Sequence, residues 1–152
     1  MAGLSDVVKV EIGSSDASIK RLYDNGQLKH IDLMFLDHYK PAYTTDLKLC
    51  EELKLVTSGS VLAADNVIKP GNPPYLEYVR SSVQQKREKA KAQVANGEAA
   101  KPDERFAQKQ VAQYAKRVES EKLQTSTGNP DLVYESRLVE SFEPTGVPVS
   151  SS

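Results

Sequence analysis

Residues 31–40 read IDLMFLDHYK, an apolar run that ends abruptly in an acid, a histidine, a tyrosine and a lysine. A run such as 31–36, apolar almost throughout, predicts a β-strand covered on both faces, as in parallel sheets. The side chains that follow lie at the carboxyl end of this strand, which is where open parallel α/β sheets bind their ligands. Residues 37–40 therefore predict a candidate functional site.

Strand-like and helix-like segments alternate on either side of this run. Residues 7–12 are mostly apolar and β-branched and predict an earlier strand, whereas residues 17–24 carry apolar side chains at helical spacing. A second helix is predicted over 44–55 and another strand over 60–64. The alternation predicts βαβ units, a parallel sheet and an α/β fold.

The second half of the chain has a different character. Pro73-Pro74 predicts the start of a further helix, with Leu76, Val79 and Val83 on one face. Beyond it the sequence is rich in Gln, Lys, Glu and Ala, and after residue 131 polar and apolar residues alternate as in a strand. The chain is thus divided into an α/β core, a charged helical insertion, a further core strand and a flexible tail, over residues 1–83, 84–130, 131–143 and 144–152.

Composition narrows the class of protein. The chain has 152 residues, which suits one domain, and a formal net charge of -1, which favours neither nucleic acid nor a membrane surface as partner. No apolar run reaches the roughly 20 residues of a membrane-spanning helix. The single cysteine, Cys50, excludes an internal disulfide and lies in an apolar-periodic stretch, so it is predicted to be buried in the core. These features predict a cytoplasmic protein.

A second polar pair, Asp65-Asn66, follows the predicted strand 60–64. Adjacent strand ends lie about 5 Å apart, so this pair and Asp37 are expected to meet. Two carboxylates and an amide carbonyl are hard oxygen ligands that suit Mg²⁺. Burial and a neighbouring cation would favour the neutral amine of Lys40, which is then able to act as a base. Either loop alone is as well explained by helix capping or turn formation, and Lys40 by an exposed loop lysine.

The two loops with their flanks resemble the metal loops of catechol O-methyltransferases. The similarity is carried by residues 35–40 (FLDHYK) and 62–71 (LAADNVIKPG), and it extends over about the first eighty residues and around 134–142. It implies a Rossmann-like methyltransferase sheet, doubly wound and mostly parallel. It also implies S-adenosylmethionine and Mg²⁺ as cofactors and a small catechol as substrate.

The resemblance implies a role for each matching residue. Asp37, Asp65 and Asn66 would hold Mg²⁺, and Lys40 would take the proton from the attacking hydroxyl. The residues that would contact the cofactor are Ser15, Asp16 and His38. Those that would contact the substrate are Tyr39, Lys40, Asn66, Pro70 and Glu143.

The sequence departs from the family pattern in three places. Tyr39 stands where other members carry Trp, and the connection 84–130 is longer and more charged than the pattern requires. Relative to the family, the chain is expected to lack the first two strands, with the loop for the methionine part of the cofactor, and also the last strand. Catechol methylation by an incomplete chain is the leading hypothesis.

A non-enzymatic interaction module is the alternative. It would retain half of the fold and dock a partner protein through the helical part of the insertion, residues 84–123. Val111, Tyr114 and Val118 form a narrow apolar stripe there that would serve as the contact face. A lightly packed, solvated insertion is the plainer interpretation of the same stretch.

Overall fold

The computed structural model describes residue 3 and residues 6–96 and 126–140. Its helices and strands are α1 Ser15–Asp24, β1 Leu33–Leu36, α2 Ala42–Glu52, β2 Val61–Ala64, a single wide helical turn Val67–Gly71, α3 Pro73–Arg80 and α4 Val83–Asn96. Among these residues no helix combines the length and the apolar character needed to cross a bilayer. The mixture of helices with a parallel sheet is consistent with part of an α/β methyltransferase fold.

The sheet consists of two parallel strands with α2 between them in sequence. The register pairs Leu33 with Val61 and Leu36 with Ala64, and the Asp65 amide donates to the Leu36 carbonyl at 2.9 Å. Both strands therefore end at the same level, and Asp37 and Asp65 leave the sheet side by side. This is the arrangement that the apolar runs predicted.

The strands are less covered than the sequence predicted. Leu33 and Phe35 on β1 are 63% and 66% exposed, and Val61 on β2 is 57% exposed. The opposite side packs on the core through Leu36, which is buried. The prediction of a strand covered on both faces is therefore wrong within the described residues, because the described helices supply a core on only one side.

The core forms around α2. Its buried face carries Tyr43, Leu47 and Cys50, which confirms the prediction for Cys50. Against this face pack the chain that leads into β2, through Leu55 and Val56, and the aromatic side of α3. Burial of these side chains supplies the main force that joins the helices to the sheet.

Helix boundaries follow local chemistry. Ser14 is the N-cap residue of α1, and the helix ends at Asn25 before Gly26, whose φ of +70° suits glycine. α2 begins two residues earlier than predicted, directly after Pro41. The predicted single helix through Val83 is interrupted, because Ser81 is extended with ψ of 142° and α4 starts afresh at Val83.

Two predicted strands are absent from the described residues. Residues 7–12 lie outside helices and strands, with Val7, Val10 and Ile12 exposed, because no neighbouring strand is described that could pair with them. Residues 132–140 also form no strand. The start of this stretch contacts helices instead of a sheet, because the Leu132 carbonyl accepts from Lys86 and the Tyr134 hydroxyl donates to Glu51.

Several predictions lie outside the described residues. They concern residues 97–125 of the insertion with the stripe Val111, Tyr114 and Val118, the end of the last predicted strand, Glu143, and the tail 144–152. Residues 126–134, by contrast, are described and lie against α2 and α4.

Candidate functional site

The site predicted from the sequence is centred on the ammonium group of Lys40. This side chain is 6% exposed and lies where β1 and β2 end. Its Nζ donates to Asn66 Oδ1 at 3.1 Å, to Asp37 Oδ1 at 3.4 Å and to the Asp65 carbonyl at 3.5 Å. The structure therefore brings both loops to one point, although their polar residues lie more than twenty positions apart in sequence.

Tyr43 completes the surroundings of Lys40. Its hydroxyl accepts from Lys40 Nζ at 2.6 Å and donates to the Asp65 carbonyl at 3.3 Å. Because the tyrosine ring is fully buried in the core, its hydroxyl is a fixed point. Tyr43 thus links the lysine to the loop after β2 and holds the amine near the oxygens of that loop.

Asn72 joins the two loops through the backbone. This residue is fully buried, and its Nδ2 donates to the Lys40 carbonyl at 2.8 Å. Its Oδ1 accepts from the Tyr75 amide at 3.4 Å at the start of α3. One asparagine therefore fixes the backbone of the first loop to the helix that follows the second.

The loop after β2 has an unusual backbone. Asn66 takes a left-handed conformation with φ of +55°, which asparagine tolerates better than most residues. The Asp65 carboxylate accepts from the Asn66 amide at 2.6 Å. This turn directs the Asn66 side chain back toward Lys40.

The oxygens around Lys40 fit a hard cation. Carboxylate, amide and carbonyl oxygens contact one positively charged atom there, and such oxygens are also the ligands that Mg²⁺ prefers. Within the part of the chain that the structure describes, no group of three His, Cys, Asp or Glu side chains could hold a metal. The predicted set of Asp37, Asp65 and Asn66 has two carboxylates and one amide, and these hard oxygens are of the type that suits Mg²⁺.

The predicted cofactor residues form a second cluster. Ser15 at the start of α1 and His38 after β1 both contact one oxygen, Asp46 Oδ2, at 2.5 and 2.8 Å. The His38 ring also stacks on Tyr43, with ring centroids 5.0 Å apart. Asp16 lies one residue further along α1, where its carboxylate accepts from the Ala17 amide.

The remaining predicted substrate residues lie on the two loops. Tyr39 is half-buried just before Lys40, and Pro70 is exposed in the wide turn after Asn66. Glu143 lies outside the described residues. The structure therefore brings Asp37, Asn66 and the Asp65 backbone carbonyl to Lys40, while the Asp65 residue itself is exposed. It brings Ser15 and His38 together at a second centre.

Sequence reasoning missed Tyr43 and Asp46. Residues 44–46 predict the opening of a helix, which places Asp46 at a helix start. In the structure α2 begins at Ala42, and Asp46 is 2% exposed on the same face as Leu47 and Cys50. The sequence feature that could have identified Asp46 is its position, at helical spacing from Leu49 and Cys50, on a helix face that is otherwise apolar.

Comparison with known proteins gives a partial match. No family model matches the chain. Over 81 residues, 53% of its length, it is 48% identical to catechol O-methyltransferase B of Danio rerio and 47% identical to catechol O-methyltransferase of Bos taurus. It is 46% identical over 79 residues to the catechol O-methyltransferase of Sus scrofa.

The match covers 31%, 30% and 42% of those three relatives, respectively. The chain therefore spans less than half of the length of the curated relatives it matches. Identity near one half over some eighty residues agrees with the resemblance carried by the two loops. This chain is thus similar to catechol O-methyltransferases over about half of its own length, and the match covers only part of those proteins.

Proposed function

We propose that this protein transfers a methyl group from S-adenosylmethionine to a hydroxyl group of a Mg²⁺-bound catechol. The observation that supports this most is the convergence of Asp37, Asn66 and the Asp65 carbonyl on Lys40 Nζ, within 3.5 Å. The relatives are catechol O-methyltransferases by name, and this supplies the reaction class.

Asp37, Asp65 and Asn66 would hold the metal. When bound, Mg²⁺ would act as a Lewis acid that makes a catechol hydroxyl more acidic. Asp37 and Asp65 follow paired strand ends, so the sheet brings the backbones of the two residues side by side. Asp37 follows β1 and Asp65 follows β2, so the relative position of the two residues depends on the register between these strands.

In its neutral amine form, Lys40 would receive the proton of the attacking hydroxyl at Nζ. The oxygen then forms a bond to the methyl carbon while the carbon–sulfur bond breaks, and the electron pair remains on sulfur, which leaves as a neutral thioether. Tyr43, whose hydroxyl is 2.6 Å from Lys40 Nζ, would orient the amine for this step. Holding reacting groups in place in this way removes much of the entropic cost of the reaction.

Ser15, Asp16 and His38 would contact the adenosine part of the methyl donor. Tyr39, Asn66 and Pro70 would line the catechol site, with Glu143 on the second hydroxyl.

The test is methyl transfer by the purified chain from labelled S-adenosylmethionine to a simple catechol, with Mg²⁺ present. Lys40→Met keeps a long buried side chain but removes the base, and we expect it to reduce turnover by roughly a hundredfold or more. Lys29→Met removes a lysine from an exposed site and is the matched control.

Binding is measured in parallel, by titration of S-adenosylhomocysteine in the presence of Mg²⁺. We expect Lys40→Met to bind this product like the parent chain, because Lys40 contacts the metal loops and not the second cluster. A parent chain that neither methylates catechol nor binds S-adenosylhomocysteine would refute the proposed function. Full activity of Lys40→Met would refute the assignment of the base.

A further inference from the structure

Asp46 is a buried acid that the proposed reaction does not use. Its side chain lies on the buried face of α2 and is 2% exposed. An ionised carboxylate is costly to bury unless hydrogen bonds compensate it. Asp46 Oδ2 contacts the Ser15 hydroxyl and His38 Nε2.

The geometry points to Asp46 as the positioning residue of the methyl-donor site, an inference that rests on the proposed function. Ser15 and His38 come from separate elements, a helix start and a strand end, and lie 23 positions apart in sequence. Asp46 holds both through one oxygen atom, so their relative position is set by a third element, α2.

Asp46 lies behind these two residues and not between them and solvent. The His38 side chain is 32% exposed and that of Asp46 only 2%, and Ser15 is half-buried. A ligand can therefore reach His38 and Ser15 from outside, whereas Asp46 contacts only their inner sides. It acts through them and does not touch the ligand.

The carboxylate also determines what His38 presents to a ligand. An ionised carboxylate accepts hydrogen bonds only, so His38 Nε2 must carry a proton toward Asp46. The stacked Tyr43 ring fixes the plane of the imidazole. The orientation of His38 is thus determined by one hydrogen bond and one ring contact, both made from α2.

Asp46→Asn is the informative substitution. It preserves shape but replaces the carboxylate by a neutral amide, whose oxygen is a weaker acceptor than the charged Oδ2 that Ser15 and His38 share. We expect the affinity for S-adenosylhomocysteine, measured by titration calorimetry, to fall roughly tenfold or more. The affinity for Mn²⁺ alone, measured by electron paramagnetic resonance as a probe of the Asp37 and Asp65 loops, is expected to stay within about twofold.

Glu51→Gln is the matched control. Glu51 is a second buried carboxylate on α2, 1% exposed, and it contacts Tyr78 and Tyr134 instead of the candidate site. We expect this variant to lose stability without a selective loss of S-adenosylhomocysteine binding. A shared loss would indicate that any damage to α2 weakens the site, and would overturn the specific role of Asp46.

Nuclear magnetic resonance of the imidazole nitrogens supplies an independent readout. The chain has two histidines, and His30, paired with exposed Asp32, is the internal reference. We expect the parent to show a protonated His38 Nε2, and Asp46→Asn to change the His38 signals while those of His30 stay unchanged.

The outcomes separate the two proposals. Asp46→Asn with parental affinity for S-adenosylhomocysteine, or with unchanged His38 signals, overturns the positioning role and leaves the proposed function intact. A folded parent chain without affinity for S-adenosylhomocysteine overturns the proposed function, and the role of Asp46 with it.

Discussion

At the scale of single residues, the site depends on polar groups fixed by a rigid aromatic core. Tyr43 shows this most clearly, because its ring is fully buried while its hydroxyl contacts Lys40 and the Asp65 carbonyl. Packing therefore determines where the hydroxyl lies, and the hydroxyl in turn limits where the amine can lie.

Tyr43→Phe tests this link. The ring and its packing are kept, so we expect a stability loss of only about 1 kcal/mol for the lost hydrogen bonds. If the proposed function holds, turnover with catechol should fall about tenfold or more because Lys40 loses its fixed acceptor. Tyr23→Phe, on an exposed position of α1, is the control. Parental turnover of Tyr43→Phe would show that Lys40 is positioned without the hydroxyl.

Glu51 and Glu52 are adjacent carboxylates with different burial. Glu51 is buried and accepts from the Tyr78 and Tyr134 hydroxyls and from the Asn129 amide at 2.8 Å. Glu52 is exposed and accepts from the Thr127 and Gly128 amides.

Replacing each acid by glutamine therefore gives a matched pair. We expect Glu51→Gln to cost about 2–3 kcal/mol, since buried charge-assisted hydrogen bonds are lost, and Glu52→Gln to cost well under half of that. Urea denaturation followed by circular dichroism measures both. Equal losses would contradict the view that burial gives Glu51 its larger effect.

Residue types and their order were enough to predict one of the two clusters. Asp37, Lys40, Asp65 and Asn66 follow apolar strands, and parallel pairing brings strand ends together. Tyr43 and Asp46 were not predicted, because they lie inside a helix. Their role depends on which face of that helix meets the loops, and the sequence alone gives no such contact.

At the scale of elements, the segment 126–134 returns to the core as an attached loop. It has no regular secondary structure, yet its backbone donates to carboxylates at the end of α2. Lys86 on α4 donates to the Leu132 carbonyl at 2.8 Å and lies over the Tyr78 and Tyr134 rings. The segment is therefore held by polar contacts on two helices.

Gly128 is the closest point of this attachment. Its φ is +76°, and an added Cβ would lie 2.6 Å from Glu51 Oε2 and 2.9 Å from Lys48 Cγ, with the Tyr78 hydroxyl nearer still. Gly26 has a similar φ of +70° but no atom within 4 Å of such a Cβ. The two glycines thus share the backbone conformation and differ in their surroundings.

Alanine substitutions at Gly26 and Gly128 separate the backbone strain of a positive φ, which both positions share, from the steric clash of an added Cβ, which only Gly128 has. We expect Gly26→Ala to cost about 1–2 kcal/mol, the price of a left-handed alanine. Gly128→Ala should cost clearly more, by about 1–3 kcal/mol, because the segment must move away from α2. Thermal unfolding of both variants measures the difference. Equal costs would mean that the segment does not pack closely on α2.

The predicted strands form where the described residues include a second strand to pair with, and they do not form where no such strand is described. The runs 33–36 and 61–64 pair with each other, so apolar character alone identified them. Residues 7–12 have the same character but no described neighbour. Residues 132 and 134 contact helices, whereas residues 135–140 are exposed. Strand formation depends on a partner as much as on composition.

At the scale of the whole molecule, buried tyrosines link stability to pH. Burial, and then the Glu51 carboxylate, raise the pKa of Tyr78 and Tyr134 well above the usual value of 10.0. Burial also raises the pKa of Tyr75, to about 12. The folded state thus favours neutral tyrosine. The resulting contribution to the free energy of unfolding is complete below pH 10 and is lost as the pH rises above 10.

Lys48 and Lys86 act in the opposite direction, since burial lowers their pKa values. The lowered lysine pKa values make the folded state gain stability as the pH rises, but only up to about pH 10.5, where lysine also becomes neutral in the unfolded chain. Stability is therefore expected to fall steadily above pH 10.5. Urea denaturation between pH 8 and 11.5 tests this, and a flat profile would contradict the burial of these tyrosines.

Cys50 provides a direct probe of opening of the whole core. It is fully buried, and burial, followed by the Asp46 and Glu51 carboxylates, raises the pKa of its thiol to about 12. Since the thiolate is the reactive species, we expect a thiol reagent at pH 8 to label the folded chain very slowly and the urea-unfolded chain rapidly. When closing is fast, the folded chain reacts in proportion to its open population, so Gly128→Ala should be labelled faster than Gly26→Ala. Labelling of the folded parent chain at the rate of the unfolded chain would show that α2 and α3 do not enclose Cys50 in solution.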